Sequence, residues 1–276
     1  MQCLHAMPAS AWVRCTTKQN ARPGDTAAVA AGWRRAVRHT PQCRAMNLSI
    51  EWLPERGAPE QLILLLHGWG ARGDSMAPLA LALKAAFPQA AVLAPDAPEP
   101  HDGGAEGGTA RQWYSIKDWT PENCPGRLAT ALPELRTWVQ VQQQRLGVAE
   151  AATCLGGFSQ GAMMALAVAV QHDGIAGRVL AFGGALAGKP PAAPRQTTLH
   201  LLHGADDTCV SADHARQALQ WLGDLQGDAT LDIAQGVGHE LHPALIDCAL
   251  HRLRNHIPLR TWQAALGAVP HAAART

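Results

Sequence analysis

The chain has 276 residues, 47% of them hydrophobic, enough for one substantial core and, on length alone, for one or two domains. Its formal net charge of +1 hides an asymmetry, because residues 1–45 carry seven Lys/Arg and one acid while residues 46–276 carry sixteen and twenty-one. The acidic larger part excludes a strongly basic nucleic-acid surface, and no apolar stretch in the first 45 residues is long enough for a signal-peptide core or a membrane span.

Those first 45 residues show no strand or helix period and include Pro8, Pro23, Gly24, Gly32 and Pro41. Arginine-rich and acid-poor, they read as a transit-like arm, an ordered extra element, or sequence upstream of a start at Met46. The last reading is favoured, dividing the chain into an extension (1–45) and a domain (46–276). Beyond Met46, strands are expected at Leu48–Trp52, Gln61–Leu66, Ala90–Leu93, Ala152–Gly156, Arg178–Phe182, Thr198–Leu202 and Ala229–Ala234. Helices are expected near Ser75–Phe87, Gly126–Leu146, Gln160–Gln171, Ala212–Leu222 and Leu241–His256. Short apolar runs alternating with helices predict an α/β fold with a mostly parallel sheet covered on both faces. The segment from Ala97 to Arg127 is expected to be a long loop, and loops of that length usually carry function or are disordered.

Chemistry enters at Gly157-Phe158-Ser159-Gln160-Gly161, which follows an apolar run and precedes a strong helix former. That is the strand-turn-helix context in which G-x-S-x-G presents a serine at the tip of a sharp turn, held out toward solvent. Chance would produce roughly 0.05 such matches in a chain of this composition, so the context has to supply the rest. Asp207 lies in an acidic turn after the run Leu199–Leu202, and His239 lies in the glycine-flanked turn Gly236-Val237-Gly238-His239. The order Ser159, Asp207, His239 is that of the α/β-hydrolases, not of chymotrypsin or subtilisin. Upstream, Gln61–Leu66 ends in His67-Gly68-Trp69-Gly70, a loop whose backbone can turn inward. The backbone N–H groups of Trp69 and Gln160 are therefore the expected oxyanion-hole donors.

With these residues in place, the sequence resembles the phospholipase/carboxylesterase group of α/β-hydrolases, which includes acyl-protein thioesterases and small bacterial carboxylesterases. The match rests on LLLHGWG (64–70), RQWYS (111–115), GFSQG (157–161), LLHGADDTCV (201–210) and GVGHE (236–240), and extends over about residues 46–266. The resemblance implies a serine hydrolase, needing neither metal nor organic cofactor, that acts on carboxylic esters or thioesters with Ser159, Asp207 and His239 as its triad. Family spacing (D-x-x-V) selects Asp207 over Asp206. A His-Asp-Gly-Gly-Ala-Glu-Gly-Gly insertion at 101–108 departs from the family pattern and bears on substrate size and loop geometry.

Other features have plainer readings. His67 and His203 are expected to bond the loop backbone, since a triad needs one histidine. His239, His242, His251 and His256 with Asp247 suggest a metal at first sight, but they form no H-E-x-x-H motif and spread over several helical faces. Seven scattered cysteines without a C-x-x-C pair are expected to be buried thiols, with Cys209 notable for its nearness to Asp207. Trp69, Trp113 and Tyr114 are candidate substrate contacts, the alternative being that the last two rings pack the loop onto the domain. The reading is therefore a cytoplasmic serine carboxylesterase for small or medium acyl groups, binding a small-molecule ester or thioester, with no nucleic acid partner, no integral membrane segment and a homodimer left open. Thioesterase, lysophospholipase or acyltransferase activity would use the same machinery. A noncatalytic binding protein on the same fold is the rival from another class.

Overall fold

The computed structural model describes residues 46–103, 108–120 and 122–266. The expected extension at 1–45 and the centre of the 101–108 insertion lie outside the described residues. Seven strands make one sheet: β1 (Leu48–Trp52), β2 (Gln61–Leu66), β3 (Ala90–Pro95), β6 (Thr153–Phe158), β7 (Arg178–Phe182), β8 (Thr198–Gly204) and β9 (Ala229–Ala234), in the order β1-β3-β2-β6-β7-β8-β9. Only β1 runs antiparallel to its neighbour. The remaining strands, β4 (Glu99–Pro100) and β5 (Arg111–Gln112), pair as a separate antiparallel ribbon inside the segment expected to be a bare loop.

The helices are α1 (Ala77–Ala86), α2 (Cys124–Leu146), α3 (Gln160–Gln171), α4 (Ala212–Asp224), α5 (Pro243–Asn255) and α6 (Leu259–Ala265), the last not anticipated from sequence. Strand β2 shows why its run is apolar throughout. Leu62, Leu64 and Leu66 face a core with α2, α3 and α4, while Ile63 and Leu65 face a second core with α1 and α5. Sequence boundaries shift where caps decide them. Helix α2 ends at Gly147, which takes the left-handed φ of +67° that favours glycine, and α4 starts where the Ser211 hydroxyl accepts Asp213 N–H at 3.2 Å.

The chain builds from β2 outward to β3 and then returns to add β6 on the other side of β2. At such a reversal the loops leaving the two central strands diverge and open a crevice at their carboxyl ends, where open α/β sheets bind ligands. Here those loops begin at His67 and at Ser159.

Candidate active site

Ser159 follows β6 directly and stands at φ +53°, ψ −118°, a left-handed conformation that a non-glycine residue adopts only under constraint. The flanking glycines explain how this is reached. A Cβ on Gly157 would strike the carbonyl of Gly161, and one on Gly161 would strike the carbonyl oxygens of Leu66 and His67. Only glycine lets the start of α3 press against the end of β2. Ser159 N–H donates to Phe182 O at 2.9 Å, tying the turn to β7. The serine is more enclosed than its turn suggests, at 6% exposure.

His239 comes from the loop between β9 and α5. Its Nε2 lies 2.9 Å from Ser159 Oγ, and its Nδ1 lies 2.7 Å from Asp207 Oδ2. The imidazole packs against the Phe158 ring, with 4.7 Å between centroids. Gly183, at the end of β7 with φ +56°, leaves the space: a Cβ there would sit 3.2 Å from His239 Nδ1.

Asp207 is buried in the turn after β8, where its Oδ1 accepts the N–H groups of Cys209 (2.9 Å) and Val210 (2.8 Å). Burial pushes its carboxyl upward, but hydrogen bonds from His203 and His239, with the nearby His239 ring and Val210 N–H, outweigh that and hold it well below the ordinary carboxylate value. It therefore stays ionised at neutral pH, facing His239. Asp206 is exposed, so the structure brings its neighbour and not it to the histidine.

The two plain histidines are where sequence expected them. His67 Nε2 accepts Ala97 N–H at 2.9 Å, which leaves Nδ1 to donate to Gly68 O at 2.7 Å. Burial lowers its pKa to about 4, so the ring is neutral and acts as a brace for the 67–70 loop. His203 donates from Nε2 to Val210 O at 2.7 Å and lies 3.3 Å from Asp207 Oδ2.

Gln160 is the first residue of α3, so its N–H has no intrahelical acceptor. Trp69 N–H likewise has no hydrogen-bond partner among the described residues. Gly68 is close to the serine, since a Cβ on it would lie 3.4 Å from Ser159 Cβ. The Gln160 side chain also ties the site to the 97–127 segment, where its Oε1 accepts Trp113 N–H and its Nε2 donates to Tyr114 O, both at 2.8 Å.

Trp113 and Tyr114 do not line an open wall. Their side chains sit in the core, Trp113 donating from Nε1 to His67 O at 2.8 Å and Tyr114 placing its hydroxyl 3.4 Å from Met163 Sδ. Of the two readings open from sequence, substrate contact and packing of the segment onto the domain, their burial favours the second. Trp69 is half-buried, with its ring 4.1 Å from that of His101. Cys124, Cys154 and Cys248 are free thiols, the first two buried as expected.

The remaining histidines disperse. His242 caps α5 through Ala244 N–H, His251 meets Asn255, and His256 pairs with Asp228 at 2.9 Å. Sequence reading missed Asp96, which accepts Ser49 Oγ–H, Gly73 N–H and the Arg72 guanidinium and so anchors the far end of the 67–73 loop. A carboxylate right after a buried strand is its only signal in the sequence.

Known proteins resemble this chain along most of its described length. The phospholipase/carboxylesterase family model matches residues 51–257. The chain is 36% identical over 213 residues to an esterase of Escherichia coli K12, YpfH, covering 77% of this chain and 90% of that one. It is 31% identical over 130 residues to acyl-protein thioesterase 1 of Saccharomyces cerevisiae, covering 45% of this chain and 57% of that one. The crystal structure of esterase PE8 superimposes with a TM-score of 0.68 at 29% identity, covering 76% of this chain and all of that one.

Proposed function

This chain belongs to the phospholipase/carboxylesterase family of α/β-hydrolases, and from that premise we propose that it is a serine hydrolase acting on carboxylic esters through Ser159, His239 and Asp207. The observation that carries this reading is the unbroken relay of 2.9 Å and 2.7 Å from the strained serine through the imidazole to the buried carboxylate.

His239 Nε2 takes the hydroxyl proton as Ser159 Oγ attacks the carbonyl carbon. The N–H groups of Trp69 and Gln160 receive the charge that develops on the carbonyl oxygen. The imidazolium, held against Asp207, then gives its proton to the leaving alcohol as the carbon–oxygen bond breaks, leaving acyl-Ser159. Water repeats the sequence and frees the acid. The wider match, along most of both chains, is to a protein named an esterase, which supports an ester substrate; the shorter match to a thioesterase supports the alternative, and small or medium acyl groups are the proposed range. A panel varying acyl length and ester against thioester decides between them. The serine mechanism is tested with a fluorophosphonate probe, whose adduct should map to Ser159. Ser159→Ala should lose the adduct and about 10⁴- to 10⁶-fold in kcat with unchanged folding. Retained activity in a clean preparation of that variant would rule the mechanism out.

A further inference from the structure

The 67–73 loop owes its shape to more than His67 and Asp96. Its other side is held by the β4–β5 ribbon, with Gly70 N–H donating to Arg111 O at 2.9 Å and Arg111 N–H donating to Ala71 O at 3.0 Å. Beside these bonds lies Gln112, buried at 1% exposure. Its side-chain amide uses all four hydrogen-bonding positions. Oε1 accepts Trp69 Nε1–H at 3.0 Å and Asp102 N–H at 3.1 Å; Nε2 donates to Asp102 Oδ1 at 2.9 Å and Glu99 Oε2 at 3.4 Å. Asp102 is fixed in turn, its Oδ2 accepting Ser115 Oγ–H at 2.6 Å and the N–H groups of Ile116 and Lys117. The His101 ring packs on the Trp69 indole at a centroid distance of 4.1 Å.

We propose that Gln112 is a positioning residue for the oxyanion-hole loop, locking the Trp69 side chain to the ribbon and thereby aiming the Trp69 N–H at the developing oxyanion. The inference rests on the oxyanion role proposed above for that N–H. A buried, fully satisfied amide has one low-energy orientation, because any rotation strands donors or acceptors away from water. Oxyanion stabilisation depends steeply on donor placement, so a loop free to rock would lose rate while ground-state binding changed little.

The test uses the full chain with Gln112→Leu, Trp69→Phe and the double variant, each assayed for kcat and KM on a p-nitrophenyl ester and for melting temperature. Trp69→Phe keeps the backbone N–H and an aromatic ring but removes the indole N–H. Each single change should lower kcat about tenfold with KM within about twofold, and the double variant should fall no further than the worse single. Unchanged kcat in Trp69→Phe, a loss confined to KM, or losses that multiply would overturn the assignment. If Gln112→Leu does not fold, Trp69→Phe alone decides. Phosphonylation of the parent at Ser159 separates the two readings: no adduct refutes the serine mechanism itself, while an adduct with unaffected variants refutes only the role of Gln112.

Discussion

Adjacent residues can differ completely in what they do, and Asp206 and Asp207 show how. Asp206 points into solvent, while Asp207 is enclosed, accepts two backbone N–H groups on one oxygen and faces His239 with the other. Asp207→Asn should cost about 10³- to 10⁴-fold in kcat, since an amide no longer selects the imidazole tautomer that leaves Nε2 free to accept the serine proton. Asp206→Asn should leave the rate nearly unchanged. Steady-state assays of the two variants side by side check the assignment, and a dead Asp206 variant would reverse it. Trp113 and Tyr114 make the complementary point. Large aromatic rings in a long loop read equally well as ligand contacts or as packing from sequence, and their burial favours packing.

At the scale of elements, the site depends on how closely α3 and β7 can approach their neighbours. Gly161→Ala would drive a methyl group into the carbonyl oxygens of Leu66 and His67, so α3 would have to withdraw from β2. The expected outcome is a stability loss of about 3 kcal/mol or more together with loss of activity, read by denaturant unfolding and ester hydrolysis. Gly183→Ala is a gentler probe. Its methyl group would crowd His239 Nδ1 at 3.2 Å and Asp207 Oδ2 at 3.5 Å, at a backbone φ of +56° that alanine resists. Here kcat should fall more steeply than stability, and the reverse ranking would argue against a displaced dyad. The strands and most helices were legible because periodicity and apolar runs are local signals. The β4–β5 ribbon was not, because two-residue strands carry no period and exist only through pairing across the insertion.

For the molecule as a whole, buried neutral histidines couple stability to pH. His67 is lowered by burial from 6.5 to about 4, and His200, buried with only its Nδ1 bonded, to about 3. Both are depressed in the folded state, so the unfolded chain binds more protons between these values and 6.5. Stability is fully present above pH 6.5 and falls as the pH drops toward 4. For His67 alone the loss amounts to up to about 3 kcal/mol across that window. Urea unfolding at pH 7.5 and pH 4.5 should show the decline, and His67→Gln, which can still accept Ala97 N–H, should make it shallower while the part due to His200 remains. An unchanged slope in that variant would mean His67 is not the group responsible. Among the described residues no helix is long and apolar enough to cross a membrane.

The sequence by itself determined the strand and helix alternation, the serine turn with its two glycines, and the chain order of serine, acid and histidine. These follow from short-range physics: side-chain periodicity, the φ that a turn demands, and apolar runs that must be buried on both faces. Only the tertiary structure decided which groups meet. His239 reaches Ser159 across 80 positions and Asp207 across 32, and Trp69 meets Gln112 across 43. Contacts of that span depend on where β2 and β6 lie side by side and on which buried polar groups find partners. No local pattern encodes that, because a hydrogen bond constrains the space between two atoms and not the chain between two residues.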